Sequence, residues 1–215
     1  MRTITVKGVG AGAFRPDCIR ITIDLKAVDA DYSLAMELAN VQTEELQKAV
    51  TEAKIQTEEL KTTNLNVSTE YESVPDGNGG WKQEQTGYCC THQMVLELPL
   101  DLDLLSDVLH HVAACNACPE CRIAFTLCDP RAAEERLLCD AASNALERAE
   151  ILANASGCQL GDLQSIDYRL GSLDVISRTS FGLEDGLHLR AAKFPSFTPE
   201  DIRLTEDVSF TWELL

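Results

Sequence analysis

The sequence predicts an α+β fold of two lobes, with largely antiparallel sheets in two layers and helices on one face. Three observations carry that prediction. Runs that alternate apolar and polar residues open the chain, close it and flank its centre. Three stretches with helical periodicity separate them, each behind an aspartate suited to cap a helix. The strand runs come mostly in adjacent pairs, as in hairpins, rather than singly between helices as in a parallel sheet. The expected order is β-β-α-β-β-α-β-α-β-β.

Ile4 and Val6 alternate with Thr3, Thr5 and Lys7, which predicts a strand over 2–8 followed by a glycine-rich turn. Ile19, Ile21, Ile23 and Leu25 alternate with Arg20, Thr22, Asp24 and Lys26, a strand buried on one face. Asp29 or Asp31 caps a helix to about Lys54, with Leu34, Leu38, Val41, Leu46, Ala49, Val50 and Ala53 as its expected buried stripe. Strands near 61–73 and 86–98 flank Pro75-Asp76-Gly77-Asn78-Gly79-Gly80, the composition of a hairpin tip. Asp101 caps a short helix buried through Leu104, Leu105, Val108, Leu109 and Val112. A strand through Ile123, Phe125 and Leu127 leads to Asp129-Pro130, cap and first-turn proline of a helix closed by Gly157. That helix is expected to bury Leu138, Ala142, Ala145, Ala149, Leu152 and Ala153. A strand near 163–170, an unassigned polar stretch over 171–199 and an alternating strand from Ile202 to Leu214 complete the chain. A single domain over 1–215 is expected, with lobes of 1–86 plus 202–215, and of 87–170.

With 215 residues, such a chain buries roughly 70% of its unfolded surface and needs no disulfide or metal to hold it. Thirty-five acidic residues against 18 basic ones give a net charge of −17, which repels nucleic-acid backbones and anionic lipid. No nucleic-acid or membrane partner is expected. The chain opens directly on a strand pattern with no signal-like apolar segment, and its nine cysteines are an odd number. A cytoplasmic location with reduced thiols is therefore expected.

Gly8-Val9-Gly10-Ala11-Gly12-Ala13 matches a dinucleotide-binding pattern as text, but a second strand follows where that motif needs a helix N-terminus. A turn between two strands is the expectation, and no nucleotide site. Cys115-Asn116-Ala117-Cys118-Pro119-Glu120-Cys121 places three thiols at C-x-x-C spacing, with Cys128 available as a fourth. Such a set could hold a soft metal or an iron–sulfur cluster. The iron–sulfur run wants its last cysteine where Phe125 stands. Redox pairing among Cys115, Cys118 and Cys121 is another reading, and free thiols in an ordinary loop a third. His92 lies on a strand face with Tyr88, Cys90, Met94 and Leu96, which suits a hydrogen-bonded structural histidine. His110 and His111 end a helix, and His188 falls in the unassigned stretch. Glu134, Glu135, Glu147 and Glu150 read as a solvated helix face. No G-x-S-x-G elbow, H-E-x-x-H, Walker loop or zinc-finger spacing occurs, so no catalytic residue is named.

Several segments together resemble the SIMPL domain family, also known as DUF541. Ile4-Thr5-Val6-Lys7-Gly8-Val9-Gly10, Pro16-Asp17 and the isoleucine strand are similar to its first two strands. Lys61–Val67, Tyr71 and Gly87-Tyr88 resemble its central hairpin. Phe125–Pro130, the alanines Ala142, Ala145, Ala149 and Ala153 with Gly157, and Val208–Leu214 match its later strand, helix and closing strand. The resemblance covers nearly the whole chain in order. It implies a two-part α+β fold that self-associates, in a family whose members include large ring- or channel-like assemblies and proteins linked to oxidative-stress tolerance. Many bacterial members carry an export signal that this sequence lacks, and the cysteine cluster is this chain's own feature. The resemblance carries over no catalytic residues.

Two functions are therefore expected in rivalry. The first is a non-enzymatic, homo-oligomeric protein pairing through strand edges in 61–73 or 202–214, with no cofactor. The second is a thiol-based redox or metal-binding protein using Cys115, Cys118 and Cys121.

Overall fold

The computed structural model describes residues 2–75, 80–168, 171, 173–179 and 197–215. The elements follow the predicted order: β1 (Arg2–Phe14), β2 (Cys18–Asp29), α1 (Tyr32–Glu52), β3 (Lys61–Pro75), β4 (Trp81–Pro99), α2 (Leu102–Ala114), β5 (Glu120–Thr126), α3 (Pro130–Ala155), β6 (Leu160–Asp167) and β7 (Ile202–Leu214). The hairpin tip at 76–79 and most of the unassigned stretch, with His188, lie outside the described residues. Antiparallel sheets with packed helices make the fold α+β, as expected.

The chain divides into two compact units, one of Met1–Asp17, Phe125–Thr179 and Pro199–Leu215, the other built on Cys18–Ala124. This differs from the expected lobes, and strand pairing is the reason. The adjacent strands β1 and β2 do not pair with each other. β1 pairs with β7 from Arg2↔Leu214 to Phe14↔Ile202, whereas β2 pairs with β4 from Cys18↔Pro99 to Asp29↔Tyr88.

In the first unit the strand order is β1-β7-β6, and α3 packs on the sheet. Asp129 caps α3 by accepting a bond from the Arg131 N–H at 3.0 Å, with Pro130 in the first turn. The buried line of the helix is Ala133, Leu137, Ala141, Ala145, Ala149 and Ala153, each four residues after the last. This corrects the expected stripe: Leu138 and Ala142 are half-buried at its flank and Leu152 is exposed. The cause lies in β1, which does not stop at residue 8. Gly8, Gly10 and Gly12 are strand residues, not a turn. At Gly8 a Cβ would overlap the Ala141 carbonyl and come within 2.7 Å of the Ala145 methyl. The glycines remove side chains from one strand face so that the helix backbone settles onto it, and small residues on α3 permit the same approach from the other side. Around this contact Val6, Val208, Phe210 and Trp212 form the core, and Leu137 packs with Ile202 and Leu204.

In the second unit the order is β3-β4-β2-β5. Ile19, Ile21 and Ile23 of β2 and Leu96 of β4 are fully buried, each such side chain contributing about 2 kcal/mol of transfer free energy. The opposite face of the sheet is polar, with Arg20 bound to Glu97 at 2.7 Å and Arg122 bound to Asp24 at 2.7 Å. Asp31 caps α1 through the Ser33 and Leu34 N–H groups, and Asp101 caps α2 through those of Asp103 and Leu104. Leu105, Val108, Leu109 and Val112 bury α2 as expected, while Leu104, expected with them, is half-buried. In α1 the buried residues are Ala35, Ala39, Leu46, Ala49 and Val50, not Leu34, Leu38 and Val41. Opposite Ala39 stand Ala27 and Cys90, small residues that admit an alanine face and turn the leucines outward.

Candidate functional site

The cysteine turn begins where α2 ends. Cys115 leaves the helix with extended geometry (ψ 150°), and its thiol donates to the Val112 carbonyl at 3.0 Å. Cys118 takes the left-handed conformation at φ 47°, which lets the chain reverse into Pro119 and β5. Cys118 is exposed, while Cys115 and Cys121 are half-buried. Burial pushes the Cys121 thiol up to about 12, helped by the neighbouring Cys115 and the Asp24 carboxylate. Burial also raises Cys115, as do Glu45 and Cys118, against two backbone N–H groups that lower it. Both shifts favour the protonated thiol, the opposite of the activated state that a nucleophile or redox thiol needs. Cys128 is exposed, belongs to the first unit, and hydrogen-bonds through its N–H to Asp17 at 2.8 Å. Among the described residues, no three His, Cys, Asp or Glu side chains come together in a metal-holding group.

Cys115 opens instead into a cleft of about 200 Å³ between α1 and α2, which also contains Glu45, Lys48, Glu52, His111 and Asn116. His111 Nδ1 lies 3.7 Å from the Glu52 carboxylate, and Asn116 reaches Glu45 at 3.5 Å. Sequence reasoning missed this meeting of two helices. Its signal was the i, i+3, i+7 spacing of Glu45, Lys48 and Glu52, which places them on one line of α1.

His92 has the structural role its strand position suggested. Its Nδ1 lies 3.0 Å from Thr43 Oγ1, and its Nε2 lies 2.8 Å from Thr62 Oγ1. The Thr43 hydroxyl spends its proton on the Ala39 carbonyl at 2.8 Å, so it accepts from Nδ1–H, and Nε2 then accepts from Thr62. This arrangement suits a neutral ring, and burial lowers the imidazole's pKa.

The hairpin of β3 and β4 is widely exposed. Pairing of β2 with β4 ends at Tyr88, but β3 and β4 continue to Pro75↔Trp81. Beyond a bulge between Glu70 and Tyr71 they form a two-stranded ribbon whose residues are almost all exposed. Its two faces differ. Tyr71↔Gln85, Ser73↔Gln83 and Pro75↔Trp81 form an uncharged face, tied by Gln83 donating to Ser73 Oγ at 3.2 Å. The other face carries Glu72↔Glu84 and Val74↔Lys82. Trp81 is 74% exposed and Tyr71 58%. Of the two strand edges expected to be open, that of β3 is, since it ends its sheet, whereas β7 is the central strand of its own.

Among the described residues, no helix is long and apolar enough to cross a membrane. Comparison with curated proteins gives no match. The family model described as SIMPL, Protein of unknown function (DUF541), matches residues 4–212. The match takes in most of both units, from within β1 to within β7, and the chain belongs to the SIMPL (DUF541) family.

Proposed function

We propose that the protein is a non-enzymatic, self-assembling protein whose copies join through the β3–β4 ribbon. One observation carries this reading: the ribbon projects beyond its sheet and presents two exposed aromatics on a face without charge. Isolated two-stranded ribbons are marginal in water and gain stability when a face is covered. In a chain of net charge −17, an uncharged face is where like copies can approach. The open edge of β3 adds unpaired backbone groups beside it. A cytoplasmic setting fits the free thiols, and a stress-related role follows from the family resemblance. Size-exclusion chromatography with light scattering tests the assembly. Wild type should run as an oligomer and Tyr71→Ser/Trp81→Ser as a smaller species that still melts cooperatively, at a somewhat lower temperature; a monomeric wild type at micromolar concentration would refute the reading.

Thiol or metal chemistry at Cys115, Cys118 and Cys121 is the rival. The proximity of Cys115 to both other thiols favours it, and the raised pKa values of Cys115 and Cys121 oppose it. Metal analysis of anaerobically purified protein separates the two.

A further inference from the structure

Leu34, Leu38, Val41, Glu45, Lys48 and Glu52 follow one line along α1 at alternating spacings of four and three residues. The C-terminal half of that line is occupied: Glu45, Lys48 and Glu52 face the end of α2 across the cleft. Among the described residues, nothing covers the N-terminal half. Leu34 is 52% exposed, Leu38 40% and Val41 47%. This inverts the usual arrangement, in which the covered part of a helix is apolar and the bare part polar. Exposed acids flank the bare half, with Glu37 and Glu44 on the helix and Asp31 at its cap, while the one basic residue of α1 is Lys48.

We propose that this half of α1 is a docking site for a basic amphipathic helix of another protein. The guest would lay its apolar residues along Leu34, Leu38 and Val41 and set lysines or arginines against Glu37 and Glu44, an apolar stripe edged on one side by complementary charge. None of the described helices of a second copy fits, because α1, α2 and α3 each carry more acidic than basic residues. The site is separate from the β3–β4 ribbon and does not depend on self-assembly.

The test uses the full chain and a fluorescein-labelled amphipathic helix of leucine and lysine, about eighteen residues long, read by fluorescence anisotropy. Binding is expected, with a loss of about tenfold or more in Leu34→Ser/Leu38→Ser and again in Glu37→Gln/Glu44→Gln. The same peptide with glutamate for lysine should not bind. Leu146→Ser/Ile151→Ser, which removes exposed apolar residues from α3, should leave affinity unchanged. Three results would overturn the proposal. The lysine peptide could fail to bind wild type. It could bind the Leu34→Ser/Leu38→Ser variant equally well, which would mean general attraction to an acidic surface. That variant could also lower the mass of the protein in solution, which would make the face a contact between copies. All three double variants alter exposed side chains, and thermal melts should show them folded. If the serine pair melts early, Val41→Ser probes the same line with one change.

Discussion

Gly10 of β1 lies directly against Leu137 of α3, so that a Cβ at position 10 would overlap the Leu137 carbonyl oxygen. The obstacle is helix backbone, which cannot rotate aside as a side chain can. Gly10→Ala should therefore destabilise the first unit by about 3 kcal/mol, the upper range for overpacking. Gly8→Ala meets the Ala141 carbonyl and should cost a similar amount. Gly12→Ala meets only the Phe14 ring, at 2.8 Å, and should cost about 1 kcal/mol or less. Denaturant melts of the three variants would rank them, and equal costs would show that the helix yields.

The free edge of β1 is covered from the same helix. Asn144 accepts the Val9 N–H at 3.1 Å, and Arg148 donates to the Lys7 carbonyl at 3.3 Å. Asn144→Ala/Arg148→Ala should lower stability by about 1 kcal/mol and leave strand edge open to other chains. Faster hydrogen exchange at Val9, together with more aggregation on heating, is the expected pair of signs. Unchanged exchange at Val9 would mean that the two side chains protect nothing.

The neutral His92 ring makes stability depend on pH in a predictable direction. Its folded pKa is lowered, so the unfolded chain takes up a proton first as pH falls. The contribution is complete above the ordinary histidine value near 6.5 and is lost as pH drops below it. Wild type should therefore lose stability relative to His92→Gln between about pH 7 and 5. Parallel stability profiles for the two proteins would contradict this.

Thiol accessibility separates the nine cysteines. Exposed Cys118, Cys128 and Cys139 should alkylate quickly in the native protein, while buried Cys18, Cys89 and Cys90 should wait for unfolding. Cys121 should react slowly at neutral pH, its rate still rising toward its pKa of about 12. Replacing Cys115, Cys118 and Cys121 together by serine should change stability by no more than about 1 kcal/mol. Peptide mass mapping and melts check both statements, and a collapse of stability in the triple variant would point to a bound metal.

Local chemistry made much of this fold legible. Asp31, Asp101 and Asp129 mark their helix starts because a carboxylate there captures free N–H groups, whatever the rest of the chain does. Period two in β2 survives because one face of the strand meets core and the other meets charge. What escaped was decided between distant segments. Gly8 and Gly10 look like turn residues until Ala141 and Leu137 are set against them. Leu34, Leu38 and Val41 look buried until the small Ala27 and Cys90 admit Ala39 in their place. Pairing partners escaped for the same reason: nothing within β1 says that its neighbour is β7 rather than β2. At the candidate site, the spacing of Cys115, Cys118 and Cys121 was visible, but the cleft beside Cys115 needs α1, more than sixty residues earlier.

The position of β7 also bears on how the molecule is made. Among the described strands of its sheet, β1 and β6 each pair only with β7, and β7 is synthesised after both. A ribosome has therefore released β1, the whole of Cys18–Ala124 and α3 before the first ladder of that sheet can close. The sheet β3-β4-β2-β5, by contrast, has all its strands once Thr126 is made and can pair during translation, while the other waits for its centre. A nascent chain that stalls before Ile202 would present two strands without a partner, and a chaperone or a protease would meet it in that state.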